Sequence, residues 1–323
     1  MVDSTGSGAT LGKPSVFSRK PNPLRIFSRN RKKEPSESAY AFTLLAPAVI
    51  LIFLLIIIPM IYAFYLSLHK VDMVAGAFKL LPVGLGNYAK LLKDTRFLPT
   101  LGRTLEFTVV RVAVSFLLGL ALALVLNEAS AAARVLNRLF LIPWALSFVV
   151  NGLMWKWLYN ADYGLINFLL VRLGIIKQYV SWLGSPSTAL YAMTFADAWK
   201  AIPFVGLVLL AGLKSIPEEL YESAKVDGAG ILQRFWHITL PGLRPVLLVA
   251  LVIQTMWSVM TFASIWAVTQ GGPMDSTMLL NVYAYQQSFM FLNLGYGATL
   301  AYVIAAIILM LTLAYLAVLR MED

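Results

Sequence analysis

The chain has 323 residues and a mean hydropathy of +0.75, and only 13% of its residues are charged, whereas soluble domains carry about 25%. This shortage of polar surface excludes an ordinary soluble protein and leaves lipid as the solvent. The net charge of +10 does not indicate a nucleic-acid partner, because eight of the 26 basic residues precede residue 34, and the absence of cysteine excludes disulfides and zinc–thiolate sites.

Residues 1–38 are predicted to form a disordered, basic cytoplasmic tail. A basic cluster lies just ahead of the first apolar run and consists of Arg25, Arg29, Arg31, Lys32 and Lys33. Such a cluster favours the anionic headgroups of the cytoplasmic face. Because the tail is polar, the first apolar run is not an ordinary cleavable signal peptide, and we expect it to remain as a membrane anchor.

Residues 39–323 are predicted to form an all-α integral membrane domain with about six spans. A spanning helix needs about 20 mostly apolar residues to cross about 30 Å of hydrocarbon. Six stretches meet this requirement, at about 41–67, 104–126, 139–159, 189–213, 246–268 and 298–319. With the tail inside, an even number of spans predicts that both termini are cytoplasmic.

The distribution of basic residues in the connections favours this orientation, with one exception. The predicted inner connections, 127–138 and 214–245, carry Arg134, Arg138, Lys214, Lys225, Arg234 and Arg244, whereas the third outer connection, 269–297, has no Lys or Arg. The exception is the first outer loop, 68–103, which carries six basic residues although it is predicted to lie outside. The long basic tail is expected to dominate, since the first helix usually sets the orientation.

The inner connection 214–245 is too polar to enter lipid and has the signals of a helix-turn-helix. Pro217 suits the first turn of a helix, and Glu218 and Glu219 suit its positive N-terminal dipole. A short helix is therefore predicted over 219–226.

A sharp turn and a second short helix are predicted to follow. Gly228 and Gly230 permit the turn, and the second helix is expected to end before Pro241. A rigid protrusion of this kind between two spans suits docking to a cytoplasmic partner.

The same connection resembles the EAA loop of ABC importer permeases, in which Glu-Ala-Ala, three residues, Gly, nine residues and Ile-x-Leu-Pro follow one another. The matching positions, with Asp227 as in the carbohydrate branch, are Glu222, Ser223, Ala224, Asp227, Gly228, Ile238, Leu240 and Pro241. Ser223 departs from the pattern by a small-for-small replacement.

The resemblance extends over about 40–320 and is greatest to the carbohydrate uptake class, which includes permeases for maltose, glycerol phosphate and lactose. Segments similar to that branch are Ile142-Pro143-Trp144, Trp155-Lys156-Trp157-Leu158, Gly164-Leu165-Ile166-Asn167, Trp199-Lys200-Ala201-Ile202-Pro203-Phe204 and Thr269-Gln270-Gly271-Gly272-Pro273. The basic tail falls outside it.

This resemblance implies a permease subunit in the cytoplasmic (inner) membrane of a bacterium or archaeon. It implies pairing with a second, related permease, in a heterodimer or a homodimer, and delivery of a sugar by an extracytoplasmic solute-binding protein. It also implies two ABC ATPase subunits that bind ATP and Mg²⁺, so that this chain has no cofactor and catalyses no covalent chemistry. The residues do not identify the sugar.

In such permeases the loop inserts as a coupling helix into a cleft of the ATPase. Carried over to this chain, Glu222 would meet a basic group of the ATPase, Gly228 would make the turn and Ala224 would allow close approach. The alternative is a solvated connector with ordinary helix capping.

Polar and aromatic residues within the spans are candidates for a substrate path, since such residues usually face a cavity or another helix. Helical spacing predicts one face in the third span (Trp144, Ser147, Asn151, Trp155), one in the fifth (Gln254, Trp257, Ser258, Thr261) and a group in the fourth (Thr194, Asp197, Trp199, Lys200). Amides, hydroxyls and carboxylates can bond sugar hydroxyls, and indole rings can stack on sugar C–H faces.

A purely structural interpretation of these residues stays open. They could join helices, and Asp197 and Lys200 could form a pair at i,i+3. Glu106 and Arg111 in the second span favour structural pairing over transport.

Two other functions are considered as alternatives from the sequence. A self-contained, ion-coupled secondary transporter rests only on Asp197 and Lys200, and a membrane scaffold or export-type permease conflicts with the EAA-like loop. Gly12-Lys13 is no phosphate loop, because Ser7 and Pro14 stand where Gly and Ser/Thr are required. The only histidines, His69 and His237, are predicted on opposite membrane sides, so no metal or catalytic centre is expected.

Overall fold

The computed structural model describes residues 37–74, 77–128 and 139–320 of the protein. The predicted tail, 1–38, lies outside these ranges except for its last two residues, and Arg134 and Arg138 of the first inner connection also lie outside them.

The described chain is mostly helical, which confirms the predicted fold class. Its elements in chain order are α1 (Glu37–Ile52), a π-helical segment (Phe53–Ile57), α2 (Ile58–Ser67), β1 (His69–Val74), β2 (Ala77–Pro82), α3 (Gly86–Lys93), α4 (Phe97–Asn127), α5 (Ile142–Ala145), α6 (Phe148–Leu158), α7 (Leu165–Arg172), α8 (Ala189–Ser215), α9 (Glu218–Val226), α10 (Ile231–Arg234), a second π-helical segment (Phe235–Thr239), α11 (Leu240–Val259), α12 (Ala263–Val268), α13 (Leu280–Tyr285), a third π-helical segment (Gln286–Met290) and α14 (Leu294–Arg320).

Five helical runs of the described chain are long and apolar enough to cross a membrane. They are Leu44–Ser67, Phe97–Asn127, Ala189–Ser215, Ile231–Val268 and Leu294–Ala317. These runs correspond to the first, second, fourth, fifth and sixth predicted spans. The run for the second predicted span begins at Phe97 instead of residue 104, and the run for the fifth predicted span begins at Ile231 instead of residue 246.

The third predicted span, 139–159, differs from the prediction because its helix is broken. Helix α5 ends at Ala145, and the next residue, Leu146, is extended with ψ of 143°. A new helix, α6, then begins at Phe148, where the Ser147 side chain accepts a hydrogen bond from the Val150 N–H at 3.2 Å. With 11 residues, α6 is about 16 Å long, roughly half of the hydrocarbon thickness.

A β-hairpin occupies part of the first predicted outer loop and was not included in the all-α prediction. Strands β1 and β2 pair antiparallel, with His69 opposite Pro82 and Val74 opposite Ala77. Asn87 of α3 donates from Nδ2 to the carbonyl of Ser67 at 2.8 Å and to that of His69 at 3.0 Å. These bonds attach the hairpin to α3.

Helix α8 lies at the centre of the packing. Its apolar window is 67% buried, against 33% or less for the other candidate spans. A Cβ atom on Gly119 of α4 would lie 2.7 Å from Cγ1 of Val205, so only glycine permits this approach of α4 to α8. Leu209, Leu213 and Leu243 form a core at one end of α8, and a larger core, which includes Met193 and Leu280, lies at the other.

Candidate functional site

The connection between α8 and α11, residues 214–245 (the coupling loop), forms a helix-turn-helix. Pro217 precedes α9, whose first turn contains Glu218 and Glu219. Gly228 makes the turn with φ of +79°, a left-handed conformation that side chains with a Cβ rarely adopt. The Ala229 N–H donates to the carbonyl of Ala224 at 2.8 Å and closes the end of α9.

The tip of the coupling loop exposes a group of apolar side chains. Val226 is 88% exposed, Ile231 80% and Leu232 73%. Glu222 and Ser223, on the same helix as Val226, are also exposed. Several highly exposed apolar side chains near one turn, beside exposed polar ones, are characteristic of a protein-binding surface.

The return from the coupling loop into the membrane differs from the predicted stop before Pro241. The chain is helical from α10 through the π-helical segment to α11, with Ile238 inside that segment and Leu240 and Pro241 opening α11. Proline has no N–H to donate within a helix, and the wider π turn accommodates this. The hydroxyls of Tyr221 and Thr239 lie 3.0 Å apart and join α9 to the base of α11.

A fully buried polar network joins four helices inside the domain. Arg111 of α4 donates from Nε to Asp197 Oδ1 of α8 at 2.5 Å, and the two side chains are only 2% and 1% exposed. Arg111 also donates to the main-chain oxygen and to Oε1 of Gln254, at 3.1 and 2.9 Å. Ser264 Oγ of α12 donates to Asp197 Oδ2 at 3.3 Å. These four residues are called the buried network below.

Three rings form a partly exposed aromatic surface beside this network. Trp144 and Phe204 are stacked with centroids 6.3 Å apart, and Phe204 and Trp257 are 4.9 Å apart. Trp144 is 46% exposed and Trp257 is 39% exposed. The ammonium group of Lys200 donates to the Trp144 carbonyl at 2.8 Å and so holds α5 against α8. Trp144, Phe204 and Trp257 are called the aromatic surface below.

A family described as binding-protein-dependent transport system inner membrane component matches residues 115–321, well over half of the chain. The chain belongs to this family. It is therefore a multi-pass inner membrane permease, as the EAA-like loop predicted.

Curated relatives of the permease include two transport proteins that are each 38% identical to it. One is the trehalose/maltose transport system permease protein MalF of Thermococcus litoralis, with 87% of this chain and 94% of that protein covered. The other is the sulfoquinovosyl glycerol transport system permease protein SmoG of Agrobacterium fabrum, with 88% and 91% covered.

A solved structure confirms the fold of the permease. A chain of a bacterial ABC transporter involved in the import of the acidic polysaccharide alginate matches with a TM-score of 0.73 and 22% identity. The match covers 87% of this chain and 95% of that one.

The structure separates the predicted substrate-path residues into two groups. Gln254, Ser258 and Thr261 lie inside the permease with Asn151, Trp155 and Asp197, and only Trp257 and Trp199 are partly exposed. Ser258 donates to Thr108 Oγ1 at 3.2 Å, and Asn151 donates to the Ala196 carbonyl at 3.1 Å. These buried polar groups join helices.

The predicted face of the third span does not form as one face. The break at Leu146 places Trp144 on α5, whereas Asn151 and Trp155 lie on α6. Trp155 packs edge-to-face against Trp199 at 5.7 Å, within a buried aromatic cluster.

Of the partners left open for Asp197, the structure gives it Arg111 and not Lys200, whose ammonium group donates to the Trp144 carbonyl. Sequence analysis placed Arg111 with Glu106, but Glu106 instead accepts a hydrogen bond from the Tyr191 hydroxyl of α8. Phe204 was noted only within a family segment. Its position four residues after Lys200, on the same helical face, could have indicated it.

Proposed function

We propose that this permease moves a carbohydrate from an extracytoplasmic solute-binding protein into the cytoplasm. The aromatic surface is the observation that supports this most directly. Partly exposed indole and phenyl rings offer stacking faces for sugar C–H groups, and Trp257 is the substrate-path residue from the sequence that lies on such a surface. The relatives named for trehalose/maltose and for sulfoquinovosyl glycerol support the same substrate class.

The coupling loop would connect this movement to ATP hydrolysis in two partner ABC ATPases, which bind ATP and Mg²⁺. Its exposed apolar tip would enter a cleft of the ATPase, with Glu222 against a basic group and the Gly228 turn at the contact. Ser223, Ala224 and Asp227 would complete the contact, while Ile238, Leu240 and Pro241 would fix the loop to α11. A second, related permease would complete the translocation path.

In this mechanism the chain catalyses no covalent chemistry. Closure of the ATPase dimer on ATP would move the coupling loop, and the spans would alternate between inward-open and outward-open states. The buried network would make α4, α8 and α11 move together, because separating them would leave charges unpaired in a low-dielectric interior. Motion of the loop would then reach the aromatic surface through α11, which carries Trp257.

The proposal is tested by purifying the permease from its native membrane and identifying the proteins that remain bound. A P-loop ATPase and a second permease are expected, and Glu222→Ala should reduce recovery of the ATPase. ATP hydrolysis by the reconstituted complex, with its binding protein, should be stimulated by one of trehalose, maltose or sulfoquinovosyl glycerol.

Trp257→Ala should then raise the half-maximal concentration of the stimulating sugar by about tenfold, equivalent to about 1.4 kcal/mol. Trp157→Ala is the matched control, because Trp157 is 69% exposed but lies outside the aromatic surface. Uptake by the isolated chain without ATP would contradict the proposal and favour an ion-coupled transporter.

A further inference from the structure

A second group of aromatic rings lies beyond the end of α11. Phe262 and Trp266 are stacked at 5.8 Å with an interplanar angle of 15°, and Tyr285 lies 5.0 and 4.7 Å from them. Phe289 follows at 5.1 Å from Tyr285 and is 66% exposed. These four residues form a continuous row of rings, called the aromatic row below, that reaches from the helix packing to the surface.

The aromatic row borders a cavity that also contains polar groups. The cavity has a volume of about 300 Å³ and is lined by Phe262, Tyr285 and Phe289 together with Asn281 and Ser288. Asn281 donates from Nδ2 to the Val259 carbonyl at 2.8 Å, which leaves its Oδ1 without a donor among the described residues. The Tyr285 hydroxyl likewise has no hydrogen-bond partner within the described chain. Stacking faces beside free donors and acceptors are what a sugar ring requires, whereas an acyl chain would leave these polar groups unpaired.

Met260 relates the aromatic row to the aromatic surface. Met260 lines the same cavity and is 55% exposed. It follows Trp257 by three residues at the end of α11, and this spacing places the two side chains on one helical face. The cavity beside the aromatic row therefore lies next to the end of α11 that carries Trp257.

The aromatic row lies at the end of the permease opposite the coupling loop. Helix α11 has 20 residues and is about 30 Å long, and it separates the coupling loop from Phe262 by about the hydrocarbon thickness. If the coupling loop is cytoplasmic, the row is on the side from which a binding protein would deliver its sugar.

We propose that the aromatic row is a second carbohydrate subsite, which receives a sugar ring before that ring reaches the aromatic surface. This inference rests on the proposed function and extends it from one stacking surface to two in succession.

The test observes both surfaces separately in the same sample. The permease, with the subunits that co-purify with it, is labelled with 5-fluorotryptophan and placed in nanodiscs. The ¹⁹F resonances of Trp266, Trp257 and Trp157 are assigned with Trp266→Phe, Trp257→Phe and Trp157→Phe. Trehalose, maltose and sulfoquinovosyl glycerol are then titrated in turn.

At least one of these sugars should shift the Trp266 and Trp257 resonances saturably and leave that of Trp157 unchanged. Phe289→Ala should weaken the apparent affinity measured at Trp266 by about tenfold. Because Phe289 is mostly exposed, this variant should retain its fold, which unchanged positions of the other resonances would verify.

Three results would overturn the inference. A shift at Trp257 without one at Trp266 would leave the proposed function intact and remove the second subsite. No shift at either tryptophan with any of the three sugars would contradict both. Loss of the second permease from the Phe289→Ala preparation, without a sugar-dependent shift at Trp266, would assign the row to a protein interface.

Discussion

Gly228 and Gly230 of the coupling loop differ in whether their backbone conformation requires glycine. Gly228 has φ of +79°, and nothing lies within 4 Å of a Cβ built on it. Gly230 has φ of −69°, which any residue adopts. At Gly228 the constraint is therefore the backbone conformation and not the available space, and a substitution there tests the turn without introducing a clash.

Gly228→Ala should weaken coupling between sugar and ATP hydrolysis, because an L residue in the left-handed region costs about 1 kcal/mol and the turn would relax. Gly228→Asn should retain more coupling, since asparagine tolerates this region. Gly230→Ala is the control and should behave as the wild type. Sugar-stimulated ATP hydrolysis in proteoliposomes measures the three variants, and equal losses at both glycines would argue against a conformational requirement.

Substitutions in the buried Arg111–Asp197 pair are expected to have a large effect on the stability of the permease. Asp197→Ala would leave the Arg111 charge buried without its carboxylate and should destabilise the permease by about 3–5 kcal/mol. The double variant Arg111→Met with Asp197→Leu should be less destabilised than Asp197→Ala, because no charge is left unpaired. Thermal unfolding in detergent compares them.

The exposed pair formed by Lys70 and Asp72 provides the matched control. Their side chains are 57% and 35% exposed, so Asp72→Ala should cost less than about 1 kcal/mol. If Asp197→Ala and Asp72→Ala lowered the unfolding temperature equally, the buried network would not be a major source of stability.

At the scale of elements, Asp94 joins the turn between α3 and α4 to α13 and α14. Its Oδ2 accepts hydrogen bonds from the hydroxyls of Tyr283 and Tyr296, each at 2.5 Å, and its Oδ1 accepts one from the Arg96 N–H at 2.9 Å. Burial alone would raise the pKa of Asp94, but these bonds and the Arg96 charge hold the pKa below its ordinary value of 3.8. The ionised carboxylate therefore stabilises this contact between elements.

This lowered pKa fixes the direction of a pH effect. A carboxyl whose pKa is lower in the folded state contributes stability above pH 3.8, and that stability is lost as the pH falls through the folded-state pKa. Asp94→Asn should therefore unfold at a lower temperature than the wild type at pH 7, and the difference should shrink below pH 3.8. Unfolding temperatures measured over this range test it, with Asp72→Asn as the control. A difference that stayed constant with pH would mean that the charge of Asp94 is not responsible.

For the whole molecule, the end of α3 and the coupling loop are predicted on opposite sides of the membrane. The chain has no cysteine, so a single introduced cysteine reports its own position. Lys93→Cys, at the end of α3, should react with a membrane-impermeant maleimide in intact cells or spheroplasts. Glu222→Cys, in the coupling loop, should react only after lysis. Reaction of Glu222→Cys from outside would reverse the proposed orientation.

Much of this fold could be predicted because membrane spans are a property of composition. Long apolar runs locate five of the spans, and the spacing of Pro217, Gly228 and the EAA-like residues indicates the coupling loop. The break between α5 and α6 was not predicted, because the two residues at the break, Leu146 and Ser147, hardly change the mean hydropathy of the segment. Helical spacing places Gln254 on one face with Trp257 and Ser258 but does not show what Gln254 contacts. Its partner Arg111 is 143 positions away.

The separation of Arg111 and Asp197 in the chain has a consequence for biosynthesis. The two residues are 86 positions apart, so helix α4 is made before α8 exists. At a synthesis rate of about 5–20 residues per second, roughly 4 to 17 s pass between the synthesis of Arg111 and that of Asp197. During that interval an arginine in lipid costs about 2.5–3.5 kcal/mol on insertion scales. Retention of the nascent second span at the translocon or by an insertase until the fourth span arrives would avoid this cost, and the order of release from that machinery would then be part of how this permease folds.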